Sequence, residues 1–328
     1  MRRRDFLCRA ACGIAAALPA VARAQQPAKQ RIGYLSVQAV AERPDYVGAF
    51  RSGLAAQGFV EGQNLEIEYR AANGALENLP GLAADLVQKG VAVIATSGGP
   101  PAALAAKRAT EVIPIVFTSG GDPVQMGLVS NFSRPDKNLT GLYFLFADLV
   151  AKRLALLHEL LPAAKRIAVL VNPANAAEAE PAVQNATSAG RELGLDIKVF
   201  DVKPQSLEPV LADVLTWRAD ALFVGPDPSF SSQTRRFVDF EVQHKLPTSY
   251  FTRNFVEAGG LMCYGPDAVE NQTQLGSYVG RILKGEKPGD LPVVQPTKYD
   301  LVINLKTAGA LGVEVPAQLL ARADKVIE

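Results

Sequence analysis

The chain is short of the residues that usually announce chemistry. It has only two histidines, His158 and His244, each near the end of a charged helical stretch. That position suits a solvated side chain at the negative helix end, not a base or a metal ligand. H-E-x-x-H, C-x-x-C and G-x-S-x-G are all missing, so no zinc, redox or nucleophile-elbow motif is present. G-x-G-x-x-G and G-x-x-x-x-G-K-[ST] are missing too, which argues against a nucleotide phosphate. Nothing pairs carboxylates for acid–base work. Cysteine is scarce: Cys8 and Cys12 sit in the N-terminal leader, and Cys263 remains alone. A mature chain would therefore hold no internal disulfide. Leu261-Met262-Cys263-Tyr264 reads as a strand, where a thiol is buried and inert. Basic charge is also lacking. The formal net charge is +1, but the first 24 residues hold five Arg against Asp5, so +1 less +4 leaves −3 for the rest. No basic block remains, which argues against nucleic acid and anionic membrane surfaces.

What is present is ordinary globular composition, 48% hydrophobic and 20% charged over 328 residues. At about 100–200 residues per domain, that length suggests two domains. Residues 1–24 read as an export signal. Arg2, Arg3 and Arg4 are followed by an uncharged, Ala-rich stretch from Ala10 to Ala22, and Ala22-Arg23-Ala24 fits a cleavage site. Arg3-Arg4-Asp5-Phe6-Leu7 resembles a twin-arginine motif. The apolar stretch is too short to span a bilayer as a mature helix.

Beyond Gln30 strands and helices alternate. Continuous apolar runs at Val91–Thr96 and Ile113–Thr118 fit strands covered on both faces. Asn64–Arg70 alternates like an edge strand, and a helix is expected over 122–131. A second run of βα units starts near Asp148. The expected class is α/β, with two doubly wound parallel-sheet lobes joined by three hinge crossings. Crossings are placed near 142–148, 250–260 and 286–298. This gives lobe one as 31–145 plus 255–287, and lobe two as 146–254 plus 297–328.

One small near-repeat points to a site. Thr96-Ser97-Gly98-Gly99-Pro100 and Thr118-Ser119-Gly120-Gly121-Asp122-Pro123 each end a buried strand and open a helix, 22 residues apart. Ligands of doubly wound sheets sit outside the carboxyl ends of strands. Hydroxyls, glycine N–H groups and helix N-termini together favour a small anion such as a carboxylate. The plainer reading is that these residues only cap helices. The candidates here are Thr96, Ser97, Thr118, Ser119 and Asp122, with Ser36 at the end of the first strand. In the second run Asn172, Asp227 and Tyr250 close strands and would face lobe one. Asp227 could hold an ammonium group or merely cap a helix. Tyr143, Phe144 and Phe146, at the first crossing, could stack on an apolar ligand or pack the hinge. No catalytic residue, metal or cofactor is expected.

With these features in view, the chain resembles the substrate-binding proteins of ABC uptake transporters with the type I periplasmic fold, in the subfamily of tryptophan- and tyrosine-type binders. The residues carrying the likeness are Ile32-Gly33-Tyr34-Leu35, Gly58-Phe59-Val60-Glu61-Gly62-Gln63-Asn64, Ile113-Pro114-Ile115-Val116-Phe117 and Gly121-Asp122-Pro123-Val124. Asn138-Leu139-Thr140-Gly141, Ala151-Lys152-Arg153-Leu154, Pro292-Val293-Val294-Gln295-Pro296-Thr297 and Leu301-Val302-Ile303-Asn304-Leu305-Lys306 continue it. The resemblance implies one small ligand between the lobes, its carboxylate on the hydroxyl turns and its ammonium on Asp227. Pro226 and Pro228 on both sides of that acid depart from the pattern and stiffen its loop. It also implies a monomeric periplasmic protein, not an enzyme, that hands a small carboxylate-containing ligand, an amino acid or related small carboxylate, aromatic or branched, to a membrane permease. A sensor passing the same ligand to a signalling receptor is the alternative, and an exported hydrolase or isomerase a third reading.

Overall fold

The computed structural model describes residues 29–328 apart from Asp136, Pro204, Gln205 and Thr297. The expected export signal lies outside the described residues. Strands β1 (Gln30–Ser36), β2 (Leu65–Ala71), β3 (Ile94–Ser97), β4 (Ile115–Ser119) and β5 (Leu139–Tyr143) form one sheet in the order β2-β1-β3-β4-β5. All four pairings are parallel. Helices α1 (Pro44–Ala56), α2 (Leu79–Gln88) and α3 (Pro100–Ala109) connect them. Strand β1 shows why both faces must be covered. Ile32 and Tyr34 pack with Phe50 and Leu54 on one side; Leu35 packs with Ala83 and Leu86 on the other. Side chains alternate along a strand, so a run that is apolar throughout needs a helix layer on each face.

Lobe two begins with α4 (Phe146–Leu160) and runs through β6 (Arg166–Val171), α5 (Ala176–Leu193), β7 (Asp196–Asp201), α6 (Leu207–Thr216) and β8 (Ala221–Val224). Then follow α7 (Pro228–Ser231), α8 (Thr234–His244), β9 (Thr248–Tyr250), α9 (Arg253–Glu257) and β10 (Met262–Pro266). After α10 (Ala268–Leu283) come β11 (Tyr299–Asn304), α11 (Leu305–Leu311), α12 (Ala317–Ala321) and β12 (Lys325–Ile327). The second sheet has the order β12-β11-β10-β9-β8-β6-β7. Its pairings are parallel except β10 with β11. The chain is thus α/β with two lobes, as its alternation suggests.

One boundary is corrected. The segment 255–287, expected in lobe one, is divided. In its first part β10 joins the second sheet and α9 packs against that sheet. Only α10 returns to lobe one, where it lies along α1. The two helices approach so closely that a Cβ at Gly276 would stand 2.1 Å from the carbonyl oxygen of Phe50. Asp267 starts α10 by accepting from the N–H groups of Val269 and Glu270 at 3.0 and 3.1 Å. The middle crossing therefore falls at 266–268 and not at 250–260. Hydrophobicity alone could not place it, because β10 is equally apolar in either lobe.

The helix expected over 122–131 is a series of turns. Asp122 Oδ1 accepts from Val124 and Gln125 N–H, and Gly127 takes φ +66°. A left-handed residue ends helical propagation. Among the described residues no helix is long and apolar enough to cross a membrane.

Candidate functional site

The carboxyl tips of both sheets face one another across a cavity of about 590 Å³ of empty space, counting its open mouth. Lobe one supplies Gln38 and Tyr46 after β1, Ser97, Gly98 and Gly99 at the tip of β3, and Thr118 and Gly120 at the tip of β4. It also supplies Asn271 and Gln272 from α10. Lobe two supplies Glu178 from α5, Asp227, Pro228 and Ser231 beyond β8, and Phe251 and Thr252 beyond β9.

Phe144, Phe146, Phe251 and Tyr46 make the apolar lining. Phe146 meets Phe144 at 5.9 Å and the edge of Phe251 at 5.8 Å, ring centre to ring centre. These are ordinary aromatic packing distances, and a flat ligand inserted among the rings would extend the cluster. The lobes already touch. Gln38 Nε2 donates to the Pro228 carbonyl at 3.4 Å. A Cβ at Gly120 would stand 2.1 Å from Glu178 Oε1, so glycine there lets the lobe-two carboxylate close against the β4 tip.

The two acids differ in how they are held. Asp227 is 1% exposed and caps α7, accepting from Ser229 N–H at 2.9 Å and from the Ser229 hydroxyl. Asn172 Nδ2 donates to it at 3.2 Å and Asn175 Nδ2 at 3.0 Å. Burial raises its pKa, and these hydrogen bonds oppose the rise. Glu178 is 3% exposed, and its carboxylate accepts no side-chain hydrogen bond from the described residues. Burial, then the neighbouring Asp227 charge, push its pKa well above the usual carboxylate range.

Asn271 is 2% exposed, yet both of its amide atoms lack a partner among the described residues. An unpaired buried amide costs about 1–3 kcal/mol, so such a group is retained where something else satisfies it. Gln272, beside it, is committed: its Nε2 donates to Ser97 Oγ at 2.8 Å and its Oε1 accepts from Tyr34 at 3.2 Å.

The residues singled out from sequence divide sharply. Ser97, Thr118 and Asp227 line the cavity, and Asn172 holds Asp227 from behind. Phe144 and Phe146 line it as well. The other six do not. Ser36 Oγ accepts from Gln38 N–H at 3.1 Å and shapes the β1 tip. Thr96 is wholly buried under the β3 turn. The Ser119 hydroxyl donates to the Gly121 carbonyl at 2.9 Å, so it braces its own turn. Asp122 caps the turns that follow β4. Tyr143 stacks on Phe132 at 4.7 Å, because alternation along β5 turns it away from its neighbour Phe144. Tyr250 stacks on Phe255 at 4.6 Å and donates to Glu241 at 2.8 Å, inside the lobe-two core.

Sequence reasoning missed Glu178, Gln38, Tyr46, Phe251, Asn271 and Gln272. Glu178 carries the same signal as Asp227, an acid just beyond a strand tip, and first-turn acids are common enough to pass unremarked. Asn271 carried none, since it lines the cavity only because α10 returns to lobe one.

The comparisons with known proteins agree with this two-lobe fold. A family model of ABC transporter substrate binding proteins matches residues 38–327. A tyrosine-binding protein of Clostridioides difficile is 27% identical over 267 residues, covering 81% of this chain and 76% of that protein. A conserved domain protein from Vibrio cholerae superposes with a TM-score of 0.83 at 29% identity, covering 91% of this chain and 99% of that one. An ABC domain from Streptococcus pneumonia, solved in complex with L-Trp, gives 0.82 at 25% identity, with 92% and 100% covered. The family match runs through both lobes and every crossing between them, and the chain therefore belongs to the ABC transporter substrate-binding proteins, a family of binders and not of enzymes.

Proposed function

We propose that this chain is the exported capture component of an ABC uptake transporter, and that its ligand is an aromatic amino acid. The observation that carries the reading is one cavity combining four aromatic side chains with two buried carboxylates. The rings suit a planar side chain and Glu178 suits its ammonium. The Ser97 hydroxyl and the glycine N–H groups at the β3 tip, opening α3, suit a carboxylate. The tyrosine-binding protein and the L-Trp complex among its relatives support the same class.

The ligand would bind lobe one first and recruit lobe two by offering its ammonium to Glu178. Closure follows only if the closed form binds better than the open one. A zwitterion bridging the lobes supplies that difference, because its two charges contact different lobes. The closed outer surface would then be recognised by a membrane permease. The leader at 1–24 supports delivery to the periplasm.

Isothermal titration with L-Trp, L-Tyr, L-Phe, L-Leu and L-Asp tests the ligand class. At a hundredfold excess over Kd an aromatic ligand should add about 2.7 kcal/mol, raising Tm by roughly 5 °C. Binding of L-Leu or L-Asp in preference to every aromatic one refutes the reading. X-ray scattering with the bound amino acid should show a more compact particle.

A further inference from the structure

The polar side chains around the cavity are engaged to different degrees. Ser97 accepts from Gln272 Nε2 at 2.8 Å, Thr118 donates to the Thr96 carbonyl at 3.2 Å, and Asp227 is held by Asn172, Asn175 and Ser229. Asn271 stands apart. It lines the cavity, is 2% exposed, and neither its Nδ2 nor its Oδ1 has a partner among the described residues. A side-chain amide offers two donor hydrogens and an acceptor oxygen, and keeping them buried and unpaired is costly.

Helix α10 shows which part of a ligand this amide meets. Ala268, Asn271, Gln272 and Leu275 recur at three- and four-residue spacing, so they share one face of the helix. That helix packs against β3, β4 and β5. Leu275, one turn beyond Asn271, is buried in the same apolar cluster as Phe144, and Phe146 packs against that cluster. Gln272 is turned about 100° further round the axis and reaches Ser97 at the β3 tip. One helix face thus serves two parts of the cavity, Gln272 the glycine turns and Asn271 the aromatic lining. The charged ends of an amino acid are already provided for in the reading above, the carboxylate by Ser97 and the glycine N–H groups and the ammonium by Glu178. The side chain is what remains for Asn271.

We propose that Asn271 sets specificity by hydrogen-bonding a polar atom on the ligand's aromatic ring, so that rings carrying an O–H or N–H are taken and a bare phenyl ring is rejected. The Asn271 oxygen accepts from an indole N–H or a phenol, and its Nδ2 donates to a phenol oxygen. A bare ring covers the amide and returns no hydrogen bond. That is the case in which a site discriminates most strongly against an analogue lacking one group, because its own buried polar atoms are left unpaired. This inference rests on the aromatic amino acid reading above and names which members of that class are bound.

The test is two matched pairs titrated calorimetrically into the protein and into its Asn271→Leu variant. One pair is L-tyrosine with L-phenylalanine. The other is L-tryptophan with L-benzothienylalanine, in which sulfur replaces the indole N–H. In the unaltered protein the first member of a pair should bind about tenfold or more tightly than the second. In Asn271→Leu the gap should close to within about threefold, chiefly through loss of the polar ligand. A gap in either pair that closes in this way supports the inference. If neither pair shows a gap, or if the gap survives in Asn271→Leu, the inference is overturned and the aromatic amino acid reading stands. If none of the four ligands binds the unaltered protein, both fall. Asn271→Ala, which removes the amide without adding apolar bulk, takes the place of Asn271→Leu should the melting curve show that the leucine variant does not fold.

Discussion

The two lobes share an architecture and bury different chemistry. Every buried arginine, aspartate and glutamate among the described residues belongs to lobe two: Arg153, Glu178, Asp227, Glu241 and Asp300. The buried polar residues of lobe one are neutral, from Ser36 and Thr96 to Asn271 and Gln272. Buried charge is costly unless held, and Asp227, Arg153 and Glu178 differ in the support they receive. Asp227 is caged by Asn172, Asn175 and Ser229. Arg153, 1% exposed, donates to the Val224 and Ser249 carbonyls, both at 2.9 Å, and lies over the Phe223 ring at 4.0 Å. Burial pulls its pKa down to about 9. It ties together the tips of β8 and β9, just before Asp227 and Phe251 enter the cavity. Glu178 alone has no such support among the described residues, and burial with the neighbouring Asp227 pushes its pKa well above the usual carboxylate range.

The sharpest way to break this asymmetry is Asp227→Ala. It strips the α7 cap and leaves Asn172 and Asn175 without their acceptor, so urea unfolding should show a loss of about 2–4 kcal/mol. Ser97→Ala, the corresponding lobe-one change, should cost about 1 kcal/mol and leave the melting curve nearly in place. Equal losses would end the distinction between the lobes.

A second prediction uses pH. Burial raises Glu241 from 4.5 to about 8, even though Tyr250, Thr248 and Leu261 donate to its carboxylate. Between those values the folded state keeps its proton and the unfolded state has lost it. The unfolded state thus binds fewer protons, and stability falls as pH rises through that window, levelling off above about 8. Glu178 and Asp227 are shifted in the same direction and act with the same sign. Melting temperatures recorded across that range should decline, and Glu241→Gln should flatten the slope. A lobe-one change such as Thr140→Val should not alter it.

The smallest expected effect separates lining from bracing. The Thr118 hydroxyl is directed at the Thr96 carbonyl, so Thr118→Val should weaken binding of an aromatic amino acid less than threefold in calorimetry. A loss of tenfold or more would return that hydroxyl to the ligand.

Much of the fold was legible because it follows from short-range pattern. Apolar runs such as Ile115–Phe117 demand helices on both faces, and alternation of such runs with helices leads to doubly wound lobes. The turn at 122–131 was misread because its apolar spacing is helical, while Asp122 and the left-handed Gly127 stop the helix from forming. In the site, Ser97 and Thr118 were legible as residues at strand tips. Their roles were not, since a strand tip says nothing about where a hydroxyl hydrogen is spent.

By itself the sequence determined the α/β class, the two-lobe plan and the neighbouring glycine turns, because each depends on residues close together in the chain. Only the tertiary structure decided which acid stands free in the cavity and which is caged. It also decided that Asn271 faces the cavity and that Tyr143 and Tyr250 do not. Those outcomes turn on contacts between segments tens to hundreds of residues apart, and on a helix that leaves one lobe to pack against the other.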